Sequence, residues 1–307
     1  MYHTITVKTG RMMNEKIETL ISLICLADLN TWHCTHRHVL EHIDAENYQA
    51  IVPKNDLAAF RAITDRRFDV LCEDDYISQN NRTYIENRLP DSMKFRAGWY
   101  LQQFVKLSAA RQGSANAVNL IWDADNMPTR DLTFMDDGII RLYRGSEHHV
   151  EYFDTIRKIM RMEKTTDHSF IAQCFATKKT WVNGLIDHIE ETTESPWIQA
   201  IMDSIPGLDA CEFSEYETLG TFISQHHAAE YEINRAKWDR RGSLKWGDPN
   251  LLSKRTLRKL SRVYDFVSFE KDNRKWPLHK RLLRDLKLEL IDQKNRLVPQ
   301  RRTDKQR

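Results

Sequence analysis

The sequence has few of the residues that crosslink small folds or break regular structure. Its 307 residues include 10 Gly, 8 Pro and 5 Cys, and no two cysteines have CxxC spacing. An odd number of cysteines scattered along the chain indicates reduced thiols rather than a disulfide framework. The apolar run at residues 20–27 is far shorter than the roughly 20 residues of a membrane span, and the first residues lack the layout of a signal peptide. These absences predict a cytoplasmic protein, with peripheral membrane contact left open.

The charge is unevenly distributed along the chain. Residues 251–307 carry 18 Lys and Arg against 7 Asp and Glu, whereas residues 1–250 carry 28 against 37. A basic tail on an acidic body favours a polyanionic partner, namely nucleic acid, an anionic membrane face or a phosphorylated glycan. The alternative is a solvated helical face that packs back on the body.

Short apolar runs alternate with helical patterns through the first half. They predict strands at residues 4–7, 49–53, 68–72 and 117–122, and helices at 13–26, 56–63 and 92–110. A hairpin is predicted at 132–143, followed by helices at 149–161, at 169–191 with a break near Thr177, at 196–204 and at 215–226. In the basic tail, a leucine stripe at helical spacing predicts a further helix that contains Leu282, Leu283, Leu286 and Leu290. This rhythm predicts an α/β fold with a mainly parallel sheet flanked by helices.

The stretch VNLIWDADNMP, residues 118–128, runs from an apolar strand into two carboxylates. Ligands of open α/β sheets bind beyond the carboxyl ends of the strands, where Asp123 and Asp125 are expected. Two carboxylates one residue apart suit a hard divalent cation, Mn²⁺ or Mg²⁺, that also contacts substrate phosphates. The competing interpretation is that Asp125 only caps a turn before Pro128.

The blocks GWYLQQFVKL (98–107), IWDADNMP (121–128), HSFIAQ (168–173) and SEYETLGTF (214–222) resemble the GT-A nucleotide-sugar glycosyltransferases with a DxD motif. More narrowly, they are similar to a group of bacterial and phage glycosyltransferases. The resemblance implies a GT-A (Rossmann-like) domain at residues 1–240, with a nucleotide-sugar half at roughly 1–145 and an acceptor half at roughly 146–240. Residues 241–307 would form a basic helical C-terminal extension.

The resemblance also implies the residues that bind the donor. Trp99, Gln103 and Lys106 form a mixed stripe on the helix before the DxD strand, where Lys106 would meet a phosphate and Gln103 a hydroxyl. Asp123 and His168 would complete the donor site. An ordinary solvent-facing helix edge and an exposed histidine are the alternatives.

Two glutamates and one histidine are candidates for catalysis and metal binding. Sugar transfer with inversion needs a base for the acceptor hydroxyl, and we predict Glu217, with Glu215 as the alternate. The pattern S-x-x-E at residues 214–217 equally fits a capping box. His226 would complete the metal shell by analogy with GT-A enzymes, although a histidine at a helix end also interacts with the helix dipole.

These predictions leave the acceptor and two other classes of protein open. The acceptor is a bacterial surface glycan or, alternatively, a hydroxymethylated base in duplex DNA that must be flipped out, with the tail at 251–307 as the contact. A non-catalytic nucleic-acid-binding protein and a metal-dependent phosphotransferase or nuclease also fit paired aspartates. A separate cluster of Cys25, Cys34, His36 and His38 has no standard zinc spacing and favours a polar insertion.

Overall fold

The computed structural model describes residues 16–115, 117–205, 212–234 and 237–270. Its strands are β1 Ile17–Leu23, β2 Ala45–Val52, β3 Phe68–Cys72, β4 Val118–Trp122, β5 Asn126–Pro128, β6 Met135–Asp136, β7 Ile139–Tyr143, β8 Cys174–Lys178, β9 Tyr231–Asn234, β10 Trp238–Asp239 and β11 Phe266–Ser268. Its α-helices are α1 Leu29–His42, α2 Leu57–Ile63, α3 Gln79–Arg88, α4 Ala97–Ala110, α5 Val150–Met160, α6 Lys179–Thr193, α7 Trp197–Ser204, α8 Glu215–His226, α9 Gly242–Trp246 and α10 Lys254–Val263.

A five-stranded sheet with the order β3-β2-β1-β4-β8 forms the centre of the molecule. Strands β1 to β4 pair in parallel, and β8 adds an antiparallel edge beside β4. Every residue of β4 is buried, as expected for an inner strand covered on both faces. The α/β class with a mainly parallel, helix-flanked sheet is therefore confirmed.

Two segments that were predicted to be helical contain strands of the central sheet. Residues 17–23 of the predicted helix at 13–26 form β1, which lies between β2 and β4. Within the predicted helix at 169–191, residues 174–178 form β8, and α6 begins only at Lys179. A short apolar run fits a buried strand and a buried helix equally well by periodicity, and only the pairing with β4 decides between them.

The other predicted elements in the described ranges agree with the structure to within a few residues. The hairpin turns at Asp137 and Gly138, whose φ angles of 49° and 77° are in the left-handed region that glycine adopts without strain. The predicted strand at 4–7 and the leucine stripe at 282–290 lie outside the described residues. Within the described ranges, no helix combines the length and the apolar character that crossing a bilayer requires.

The last described residues return to the sheet edge that carries the two aspartates. Strand β11 pairs with β5 in antiparallel fashion, and the backbone N–H of Phe269 donates to the carbonyl of Asp125 at 2.8 Å. A second core forms there around Met127, Trp246 and Leu260. Part of the basic extension thus packs directly beside the turn after β4.

Candidate active site

The turn after β4 is held by a set of backbone and amide hydrogen bonds. The Asp123 N–H donates to the carbonyl of Gln173 at 3.0 Å, and the Asn126 N–H donates to the carbonyl of Asp123 at 2.9 Å. The side-chain amide of buried Asn126 donates to the same Gln173 carbonyl at 2.6 Å. The main chain between the two aspartates is therefore fixed against the segment that precedes β8.

The Asp123 carboxylate is the centre of a partly buried polar network. Its Oδ1 accepts from Lys106 Nζ at 2.6 Å and from the Tyr216 hydroxyl at 2.7 Å. Lys106 also donates to Glu215 Oε1 at 2.8 Å. Burial alone would lower the pKa of Lys106, but the charges of Asp123 and Glu215 outweigh it, and the pKa lies above its usual value. The ammonium group is therefore charged and shared between two carboxylates.

Asp125 lies in a more strongly negative environment than Asp123. Burial, followed by the charges of Asp123, Glu270 and Asp28, raises the pKa of the Asp125 carboxyl to about 8. Among the described residues, no basic side chain forms an ion pair with Asp125. A partly buried carboxylate that lacks a counter-charge, as Asp125 does among the described residues, suits a divalent cation, which prefers oxygen ligands. The donor set of Asp123 and Asp125 therefore fits Mn²⁺ or Mg²⁺.

Both aspartates line a cleft of about 340 Å³ at the carboxyl end of β4. Six acidic and two basic side chains line it: Asp28, Asp123, Asp125, Glu147, Glu215, Glu270, Lys106 and Arg240. Arg240 pairs with Glu147 and, at 2.5 Å, with Glu270. The cleft is thus acidic, and its two cations already interact with carboxylates.

The structure brings the predicted donor residues of α4 to this cleft. Trp99, Gln103 and Lys106 all line it. Gln103 is only 4% exposed; its Oε1 accepts from the N–H of Glu215 at 3.1 Å, and its Nε2 has no partner among the described residues. A buried amide donor without a partner is costly, and a ligand hydroxyl or carbonyl would satisfy it.

The two candidate glutamates have different environments. Glu215 lines the cleft, whereas Glu217 is 1% exposed and does not. The Glu217 carboxylate accepts from Ser169 Oγ at 2.9 Å and from the N–H of Phe170 at 3.0 Å, and it pairs with Lys164. Its own N–H donates to Ser214 Oγ at 3.3 Å, which is the cap half of the predicted capping box. Glu217 therefore holds the loop before β8 rather than facing the cleft.

Neither predicted histidine lies at the cleft. His226 is at the end of α8, eleven residues after Glu215, which corresponds to about 16 Å along a helix. Its ring stacks on Phe222, with ring centroids 4.4 Å apart. The structure thus does not bring His226 to Asp123 and Asp125, because α8 points away from the cleft. His168 lines a neighbouring cavity of about 470 Å³ instead.

The zinc candidate Cys25, Cys34, His36 and His38 is also not assembled. His36 is fully buried, with Nδ1 at 2.6 Å from the carbonyl of Trp32 and Nε2 accepting from the N–H of Asp65. The Cys25 thiol interacts with Asp28 instead, at 3.3 Å. The segment is not a polar insertion either, since residues 29–42 form α1.

The cleft residues that were not predicted from the sequence include Asp28, Glu147, Tyr216, Arg240 and Glu270. Asp28 follows β1, and a correct strand assignment there would have placed it at the same sheet edge as Asp123. Glu270 follows β11, in a segment that was assigned to the extension by its charge. No local pattern distinguishes Tyr216, which reaches the site only through the position of α8.

The chain belongs to the family described as "Family of unknown function (DUF6492)", which matches residues 29–261. The match includes every acidic residue of the cleft except Asp28 and Glu270. No curated protein matches the chain.

Among solved structures, the chain is similar to mouse xyloside xylosyltransferase 1 in its apo form, with 10% identity, a TM-score of 0.47, and coverage of 85% of this chain and 99% of that one. It is similar to the galactosyltransferase LgtC in complex with donor and acceptor sugar analogs, with 10% identity, a TM-score of 0.41, and coverage of 92% and 98%. It is also similar to the bifunctional glycosyltransferase WbbM in its apo form, with 12% identity, a TM-score of 0.41, and coverage of 88% and 48%.

Proposed function

We propose that the protein is a metal-dependent glycosyltransferase that moves a sugar from a nucleotide-diphosphate sugar to a hydroxyl group of a glycan. The observation that carries this proposal is the acidic cleft at the carboxyl end of β4, where Asp123 and Asp125 lie beside Lys106. A site for a metal diphosphate needs carboxylates for the cation and a positive side chain for the phosphates. Both are present in this cleft.

Asp123 and Asp125 would hold a Mn²⁺ or Mg²⁺ ion, which neutralises charge that develops on a departing diphosphate. Lys106 is positioned by Asp123 and Glu215 and supplies a further positive charge on the same wall. The amide donor of Gln103, which no described residue satisfies, is available for a hydroxyl group of the nucleotide or the sugar. Trp99 offers an indole face on the same helix.

The acceptor fits the neighbouring cavity, which contains His168. Glu147 lines both this cavity and the cleft. A base must lie between donor and acceptor to take the proton of the acceptor hydroxyl. Glu147 satisfies this requirement, whereas Glu217 is buried in a different network. Glu147 is therefore our candidate for the base, and Glu215 is assigned the positioning of Lys106.

Two acceptors are compatible with the charge of the C-terminal segment, a surface glycan and duplex DNA. On α10, exposed basic residues extend the positive surface of the extension: Lys254, Arg255, Arg258 and Arg262. An anionic glycan or the phosphates of DNA would both be attracted to this face. We favour a surface glycan; binding to duplex DNA that weakens steeply with salt, together with transfer to a hydroxymethylated base, would favour DNA as the acceptor.

The test is a screen of nucleotide sugars for Mn²⁺-dependent hydrolysis and for Mn²⁺-dependent thermal stabilisation. We expect at least one donor to respond with the native sequence and Asp125→Asn to lose the response. Asp75→Asn is the matched control, since Asp75 is exposed and follows β3 outside the cleft. If no donor responds, or if Asp125→Asn responds like the control, the glycosyltransferase proposal is wrong.

The base is tested separately with the donor and acceptor that respond. We expect Glu147→Gln to slow transfer strongly while donor binding persists. Glu217→Gln should lower the melting temperature, because it removes the charge that pairs with Lys164, but the folded protein should keep its Mn²⁺ response. If Glu217→Gln slows transfer strongly and Glu147→Gln does not, Glu217 is the base and Glu147 is not.

A further inference from the structure

We propose a second metal site, selective for Zn²⁺, on the side of α1 that faces α10, with His38, Glu41 and His42 as ligands. This site is separate from the acidic cleft and does not depend on the proposed function. Each of the three side chains offers one ligand atom, and these atoms lie within 4.8 Å of one another. Ligand atoms of a tetrahedral zinc site lie about 3.4 Å apart, since each is about 2 Å from the ion, so small side-chain rotations complete the site.

The sequence of α1 explains why the three residues converge. His38 and His42 are four residues apart in HVLEH, and residues at this spacing lie above one another on the same helix face. Glu41 is exposed and three residues after His38, a spacing that also places its side chain on this face. Two histidines at this spacing are a recurrent arrangement for holding zinc on a helix.

The hydrogen bonds of the two rings leave one nitrogen available on each. His42 Nδ1 lies 2.9 Å from Asp131 Oδ1, which fixes the proton on Nδ1 and leaves the lone pair of Nε2 for an ion. The His38 ring interacts with the carbonyl of Pro128, and its buried Nδ1 has no hydrogen-bond partner among the described residues. Metal-bound histidines have this second interaction with a carboxylate or a carbonyl oxygen.

The surroundings leave space for an ion and its remaining ligand. The three residues line a cavity of about 610 Å³ between α1 and α10. Glu41 in the cavity and Asp131 behind His42 supply two negative charges that match a divalent cation. Lys254 and Arg258 lie on the α10 wall and suit a hydroxide or another anion as the remaining ligand. Imidazole ligands favour Zn²⁺ over Mg²⁺ and Mn²⁺.

The test uses the untagged full-length protein, stripped of metal, in an Asp125→Asn background that disables the cleft. We expect calorimetric titration with Zn²⁺ to give one site with a dissociation constant of about 10 µM or tighter. His38→Ala, His42→Ala and Glu41→Gln should each weaken binding at least about tenfold, and Asp131→Asn should weaken it less, because Asp131 only orients His42. Co²⁺ in place of Zn²⁺ should give visible absorption that the His42→Ala variant loses.

His33→Ala is the matched control, since His33 is on the same helix and contacts Asn250 and Arg37 instead. Glu41→Gln alters an exposed side chain, so this variant keeps the test valid if a histidine variant fails to fold. The proposal is overturned if no Zn²⁺ binds, or if Glu41→Gln and His42→Ala bind it as tightly as the control. The Zn²⁺ titration and the Mn²⁺-dependent donor screen concern different sites, so failure of one proposal does not decide the other.

Discussion

Replacing Lys106 by Met tests whether the network around Asp123 is a single unit. The side chain of Lys106 is 12% exposed, and it bridges the carboxylates of Asp123 and Glu215, which are 19% and 5% exposed. Methionine retains the length and apolar stem of lysine but lacks the ammonium group. The substitution therefore leaves two carboxylates close together in a site with little access to water.

The expected loss of stability follows from the burial of these groups. Removing one partner of a buried ion pair costs about 3–5 kcal/mol, since the remaining charge stays uncompensated. A chain of this size loses roughly 2 °C of melting temperature per kcal/mol, so a decrease of about 6–10 °C is expected. Adding Glu215→Gln removes one of the two carboxylates and should recover at least about 1 kcal/mol.

The assays are thermal and urea unfolding of the native sequence, of both single variants and of the double variant, with Mn²⁺ removed by EDTA. Lys94→Met is the matched control, because Lys94 is 56% exposed and pairs with Asp91, which is 94% exposed. Such a surface pair contributes about 0.5 kcal/mol or less. Our account of the network is refuted if Lys106→Met behaves like this control, or if the effects of Lys106→Met and Glu215→Gln simply add.

Further predictions concern the packing around α8. Gly220→Ala should destabilise the fold by at least about 2 kcal/mol in urea unfolding, because a Cβ there would meet the ring of Phe170 at 2.1 Å. Gly98→Ala should change stability by less than about 1 kcal/mol, since nothing lies within 4 Å of its Cβ position. Ser214→Ala removes the cap that accepts from the Glu217 N–H and should cost about 1 kcal/mol in the same assay, whereas no change would show that the cap is dispensable.

The sequence was sufficient to predict the central strand and its two aspartates. A largely apolar run followed by acidic residues specifies β4 locally, because an inner strand is covered on both faces. Helical spacing alone also places Gln103 and Lys106 of α4 on the same side, and both line the cleft. In both cases the information lies within a single element.

Features that depend on contacts between distant segments were not predictable from local patterns. The apolar runs in β1 and β8 fit strand and helix equally, and only their pairing with β4 decides between the two. Asp28 was missed as a consequence of the error at β1. Glu270 was missed because its charge context indicated a tail, whereas β11 pairs with β5 and places it in the cleft.

The choice between Glu215 and Glu217 shows what the spacing of two residues decides and what it leaves to the fold. In an extended segment, residues two apart point to opposite sides, so the sequence correctly limited the cleft to one of the two glutamates. In the helix that actually forms, they are separated by about 200° around the axis, which leads to the same conclusion. Which of them faces the cleft depends on the direction of α8, and the bond from the Glu215 N–H to Gln103 sets that direction. The proposed base therefore has to be sought among carboxylates that the fold brings to the cleft, and Glu147, on a loop remote in sequence from α8, meets that condition.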